Sequence, residues 1–121
     1  MKNIPVLKLG SILFLTVPEN MNDAMAQYLE EDVLQQLHKT GAEAVVIDIS
    51  SLEIIDSFMA RVITETVQTT KVMGARIVVV GMSSVATITL LELGLDMSDI
   101  ETAMDLESGL HKLGYRLQTI K

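Results

Sequence analysis

Hydrophobic positions recur along the chain with two periods, and the switches between them outline the elements. Residues 4–9 (Ile-Pro-Val-Leu-Lys-Leu) and 12–17 (Ile-Leu-Phe-Leu-Thr-Val) are short apolar runs separated by Gly10-Ser11, a pattern that predicts a hairpin. Pro5 has no N–H to give to a ladder, so the first run suits an edge strand. After Pro18-Glu19-Asn20 the period lengthens. Met25, Tyr28, Leu29, Val33, Leu34 and Leu37 fall at three-to-four spacing and predict a helix over 24–39, capped by Asn22 or Asp23 and closed by Gly41. Residues 44–49 (Ala-Val-Val-Ile-Asp-Ile) then form a continuous apolar run of the length of a buried strand. A second helix is predicted over 57–73, with Asp56 as N-cap, Gly74 as its end, and Phe58, Met59, Val62, Ile63, Thr66, Val67, Thr70 and Met73 turned inward. Residues 75–80 read as another buried strand closed by Gly81. A third helix follows from a cap at Ser83 or Ser84 to about Leu93, with Val85, Ile88, Leu91 and Leu90 as its apolar face. A short strand is placed at 99–104, and a last helix over 105–113 with Leu106, Leu110 and Leu113 inward.

The order is therefore β-β-α-β-α-β-α-β-α. Strands linked through helices imply parallel pairs with right-handed crossovers, and the opening hairpin adds an antiparallel pair. The expectation is an α/β fold: a small mixed sheet with about four helices, in a single domain over residues 1–121. Short connections leave little room for a lid or a large active-site loop.

Composition narrows the function classes. Apolar residues make up 49% of the chain and aromatics only 3%, so the core is aliphatic, with eight methionines. A net charge of −7 without a basic patch argues against nucleic acid and anionic membrane surfaces as partners. No cysteine is present, which removes disulfides and thiol catalysis. No apolar run approaches the roughly 20 residues that span a bilayer, and no signal-peptide pattern opens the chain. The expectation is a soluble, cytoplasmic protein.

Candidate chemistry concentrates between the 44–49 strand and the second helix, where Asp48 and Asp56 bracket the hydroxyl of Ser57. A nucleophilic serine needs a base and a group to orient it. The two histidines, His38 and His111, fall instead near helix C-termini, where the dipole favours them. Asp48 and Asp56 form too thin a ligand set to specify Mg²⁺. Gly74, Gly81 and Gly94 are isolated, with no phosphate-binding spacing. No cofactor, metal or catalytic residue is therefore expected. Ser57 has two readings: a helix-start hydroxyl that only caps, as serine commonly does there, or a phosphoacceptor. A phosphoserine at a first helical turn would carry about −1.5 to −2 charges close to backbone N–H groups. Ser57, Arg61, Thr64, Gln68 and Lys71 recur at steps of four, three, four and three, which places them on one polar helical stripe. That stripe is either a solvated face or a partner-facing surface. Likewise the apolar third helix and the methionines are either core or a subunit contact.

Val-Val-Ile-Asp at 45–48 followed by Ile-Asp-Ser-Phe at 55–58, then Met73-Gly74-Ala75, Gly81, Leu91-Glu92-Leu93-Gly94 and Ile100-Glu101-Thr102-Ala103, resemble the STAS domain family (sulfate transporter and anti-sigma factor antagonist). Within it the likeness is greatest to the RsbS-type scaffold class of bacterial stressosomes. The resemblance implies a non-enzymatic scaffold that assembles with sensor-bearing, RsbR-type STAS paralogues into a large stressosome. It implies capture of an RsbT-like switch serine kinase, release of that kinase on phosphorylation, and a phosphatase that resets the system. The phosphoacceptor it implies is Ser57, with Thr89 at the place of a second, lesser site. Asp56, Ser57, Arg61, Thr64, Gln68 and Lys71 are then the candidate partner-binding residues. The chain starts directly at the STAS strands, which fits the scaffold class. Two other readings stay open: a stand-alone anti-sigma factor antagonist using the same serine, and a receiver-like domain phosphorylated on Asp48. The β-β start and the serine at 57 argue against the last.

Overall fold

The computed structural model describes residues 5–94 and 100–115. Five strands, Val6–Leu9 (β1), Ile12–Thr16 (β2), Ala44–Asp48 (β3), Arg76–Val80 (β4) and Glu101–Ala103 (β5), form one sheet in the order β1-β2-β3-β4-β5. The helices are Asp23–Thr40 (α1), Ser57–Val72 (α2), Ser84–Glu92 (α3) and Leu106–Lys112 (α4). The β1–β2 pair is antiparallel and the other three pairs are parallel, so the sheet is mixed, as the element order predicts, and β1 is an edge strand, as Pro5 predicts. Ile4 and Asp99, assigned from the sequence to the first and last strands, lie outside the described residues. Among the described residues no helix is long and apolar enough to cross a membrane.

The two-residue period of the strands divides the core in two. Leu13, Leu15, Val45, Ile47, Ile77 and Val79 pack with Leu29 and Val33 of α1, Ile63 and Val67 of α2, and Leu90 of α3. On the opposite face Ile12, Ala44, Val46, Val78 and Val80 pack with Leu110 of α4 and Leu113 just beyond it. Burial on both faces is why β3 and β4 read as unbroken apolar runs.

Helix boundaries follow their caps. The Asn22 side chain accepts from the Met25 N–H at 2.8 Å and opens α1, and Gly41, at φ 66°, closes it. Ser83 caps α3 by accepting from the Ala86 N–H at 3.0 Å. Asp105 caps α4, and the Ser108 backbone N–H it accepts holds its carboxyl below the usual carboxylate range.

Several inward assignments need correction. In α1 the buried line is Ala26, Leu29, Val33 and Leu37, with Met25, Tyr28 and Leu34 half-buried on its flanks. Met73 is exposed, because α2 ends at Val72 and Met73 is already its C-cap. In α3 Leu90 is buried as expected, but Val85, Ile88 and Leu91 are each more than half exposed, and Ala86 joins Leu90 on the inward side. That helix is apolar nearly all round, so its period does not identify the side that meets the sheet. Leu106 is exposed as well, at the first position of α4, and the buried contacts come from Gly109, Leu110 and Leu113.

Helix α4 is seven residues long and sits close to the sheet. Around it, Arg76 donates to both carboxylate oxygens of Glu101 and to the Lys112 carbonyl, all at 3.1 Å, and Lys112 Nζ donates to the Thr102 carbonyl. These groups are exposed, and exposed ion pairs contribute little. Close packing matters more. A Cβ added to Gly109 would meet Val80 Cγ1 at 2.6 Å and Val78 Cγ1 at 3.4 Å. Alanine favours a helix over glycine by about 1 kcal/mol, but overpacking against a stiff, buried valine costs about 1–3 kcal/mol. Gly109→Ala is therefore expected to lower stability by about 1 kcal/mol. Urea unfolding checks this, and an unchanged or raised midpoint would show that α4 can lift off the sheet at no cost.

Candidate functional site

The site is set by the way β3 hands over to α2. The Ile49 N–H donates to the Val80 carbonyl at 3.0 Å, so the chain stays tied to β4 one residue past the end of β3. Asp48 accepts the Ser50 N–H at 2.9 Å through its side chain and the Val17 N–H at 2.9 Å through its carbonyl, and the chain turns there. The Leu52 N–H donates to the Ile49 carbonyl at 3.0 Å. Leu52 and Ile55 are buried in the α1–α2 core, while Ile54 between them is 77% exposed. Two anchors thus hold the loop down on either side of an outward isoleucine.

Gly81, at the end of β4, closes the same junction from below. Its φ is +78°, and an added Cβ would lie 2.6 Å from Ser50 Cβ and 3.0 Å from the Ser50 backbone. Only glycine lets the two segments come this close. The residue read from the sequence as punctuation is a packing requirement of the loop that leads to the site.

Asp56 is the N-cap of α2, as expected: its side chain accepts from the Met59 N–H at 2.8 Å, and its carbonyl accepts from the Ala60 N–H at 2.9 Å. The capping task therefore falls to Asp56. Ser57 is the first residue of the helix and is exposed. Its neighbour Phe58 is half-buried against the core, which fixes the first turn.

The polar stripe is where the spacing places it. Ser57, Arg61, Gln68 and Lys71 are exposed, and Thr64 is half-buried with its hydroxyl donating to the Ala60 carbonyl at 2.8 Å. Ser57, Arg61 and Thr64 share a concavity. Ser57, Ala60, Arg61, Thr64, Glu65 and Leu93 line an open groove of about 260 Å³ between α2 and the end of α3. Gln68 and Lys71 lie farther along, Lys71 about 21 Å from Ser57 at 1.5 Å per residue. Lys71 borders a separate hollow with Arg76 and Glu101. Glu65 was legible in the sequence, one turn beyond Arg61 on the same face. Leu93 was not, because only the packing of α3 brings it there. Thr89 lies on α3, half-buried, its hydroxyl donating back to the Val85 carbonyl at 3.0 Å.

A family model described as the STAS domain matches residues 3–112. Among solved structures, a serine-to-glutamate variant of Moorella thermoacetica RsbS superposes with a TM-score of 0.84 at 32% identity, covering 92% of this chain and 94% of that one. A chain from a structure of the molecular architecture of the stressosome, a signal integration and transduction hub, gives 0.82 at 34% identity, covering 91% and 96%. The RsbT co-antagonist protein RsbRD of Bacillus subtilis (strain 168) is 28% identical over 93 residues, 77% of this chain and 34% of that protein. The chain spans about a third of the length of the curated relatives it matches.

Two substitutions separate the supports of this junction. Gly81→Ala forces a side chain into the left-handed region and against Ser50, and is expected to cost about 2 kcal/mol or more. Asp56→Ala removes the cap and should cost about 1 kcal/mol, while Asp56→Asn, an equally good cap, should cost little. Chemical denaturation of the three variants checks the ranking, and equal losses for the alanine and asparagine replacements of Asp56 would rule out capping as its role.

Proposed function

Because this chain belongs to the STAS domain family and is built like the RsbS-type stressosome proteins, we propose that it is a non-enzymatic, phosphorylatable scaffold of a stressosome in the bacterial cytoplasm. It holds an RsbT-like switch serine kinase while Ser57 is unmodified and releases it once Ser57 is phosphorylated. The observation that carries this reading is the spare, exposed hydroxyl at the first position of α2, its capping duty already taken by Asp56, beside an open groove. The name of the RsbRD relative, an RsbT co-antagonist, supports an RsbT-like protein as the partner.

The physical basis of release is local charge. The kinase transfers the ATP γ-phosphoryl group to the Ser57 oxygen, ADP leaves, and the hydroxyl proton goes to a base on the kinase. The phosphoserine brings about −1.5 to −2 charges. It sits at a helix N-terminus, where backbone dipoles tolerate it, so α2 stays folded. With Asp56 next in sequence and Glu65 lining the same groove, the modified surface outweighs the single positive charge of Arg61 there and becomes acidic. A partner fitted to the neutral groove then loses affinity without refolding of the scaffold. Asp56, Ser57, Arg61, Thr64, Gln68 and Lys71 form the partner-facing stripe, and Thr89 is a lesser acceptor, since its hydroxyl is already bonded within α3. RsbR-type sensor-bearing paralogues complete the assembly and a phosphatase resets it.

Two measurements test this reading. Incubation with the cognate kinase and ATP should give one major phosphorylated residue, Ser57, by mass spectrometry. Ser57→Asp should weaken kinase capture at least tenfold, about 1.4 kcal/mol, whereas Ser57→Ala should hold the kinase as the unmodified protein does. Equal capture by both variants would remove the charge argument.

A further inference from the structure

One cationic side chain, Arg61, lines the Ser57 groove. It is exposed, and among the described residues no carboxylate, carbonyl or hydroxyl meets its guanidinium. Other cations of the chain are engaged. Arg76 holds Glu101 and the Lys112 carbonyl, Lys8 donates to the Gly10 carbonyl, and Lys112 donates to the Thr102 carbonyl. Arg61 therefore carries an uncommitted charge at the place where the proposed phosphoacceptor stands.

Helix geometry decides what that charge can reach. Ser57, Arg61 and Glu65 follow one another at steps of four within α2, a spacing that puts Cβ atoms about 5–6 Å apart. Side chains on a helix lean toward its N-terminus, so Arg61 leans over the turn that Ser57 opens, and Glu65 over the turn of Arg61. While Ser57 is neutral, the acid one turn from Arg61 on this face is Glu65. It lies C-terminal to the base, the weaker order for a helical ion pair, and the two do not pair. A phosphoserine at 57 inverts the balance. Its acid is N-terminal to the base, the favoured order. It carries up to twice the charge of a carboxylate, and its oxygens match the two-pronged guanidinium. The neighbours do not compete: the Thr64 hydroxyl is spent on the Ala60 carbonyl, and the Asp56 carboxylate on the Met59 N–H.

We propose that Arg61 is the intramolecular clasp of the phosphoserine at 57, free in the unmodified groove and drawn onto the phosphate once it is present. Modification then changes the groove twice. It adds a dianion, and it withdraws the groove's cation from any acidic group on a docked partner. Arg61 acts as a positioning residue: it fixes the phosphate against the first turns of α2, where the helix N-terminus also favours an anion. The regulatory meaning of the clasp rests on the scaffold reading of Ser57, whereas the pairing itself does not.

Nuclear magnetic resonance on the full chain tests this, with phosphoserine placed at 57 during synthesis so that no kinase is needed. Phosphorus spectra follow the second ionisation of the phosphate. A paired cation stabilises the dianion, so Arg61→Gln should raise the pH of that ionisation by about 0.3, the strength of one helical ion pair expressed in pH. Arg61→Lys, which keeps the charge and loses the fork, should fall between the two. The Arg61 Nε–H should exchange with water more slowly in the phosphoserine protein than in the serine protein. An ionisation unmoved by Arg61→Gln, or an Arg61 Nε–H that exchanges equally fast in both forms, would overturn the clasp. Kinase capture separates this outcome from failure of the scaffold reading. A Ser57→Asp effect on capture with no clasp in the spectra removes only the clasp. A clasp in the spectra with capture indifferent to Ser57→Asp removes only the scaffold reading.

Discussion

Everything at the β3–α2 junction depends on the burial of three side chains, Ile49, Leu52 and Ile55, within an eight-residue connection. Burying an aliphatic side chain of this size contributes about 1.5–3 kcal/mol. Three such anchors suffice to keep a loop of otherwise polar and exposed residues in one conformation. They bring Asp56 to the position where its carboxylate can close the first turn of α2, and they leave the next residue, Ser57, outside. Gly81 makes the arrangement possible from the other side, because any side chain there would displace Ser50. The exposed hydroxyl is thus a product of core packing, not of a flexible loop.

That rigidity suits a surface read by another protein. A charge added to a fixed position changes recognition directly, and no conformational change has to carry the signal. The surroundings are compatible with the proposed added charge: a helix N-terminus accommodates an anion, and Asp56 and Glu65 stand by Ser57 with Arg61 in the same groove. Apolar area exposed on α3 lies beyond the rim of the same groove, where Leu93 closes it. Binding energy from such side chains and discrimination by charge can then reside in neighbouring but separate groups.

The two sides of the sheet carry different loads. Helices α1, α2 and α3 cover one face and carry the Ser57 groove. Among the described residues the other face is covered by the short α4, seated over β3 and β4 by Gly109.

The sequence by itself determined the strand and helix order, the edge position of β1, the mixed sheet, and the capping of α2 by Asp56. Each follows from local chemistry: a period of two or of 3.6, a proline without an N–H, an aspartate before a helix. It also placed Ser57, Arg61 and Thr64 on one helical face, because that face is a property of a single helix. Tertiary structure alone decided which side of α3 is buried, since a helix apolar all round has no preferred face until a sheet selects one. It alone brought Leu93 to Ser57 and set Gly81 against Ser50. These are contacts between elements distant in sequence, and no periodicity within either partner encodes them.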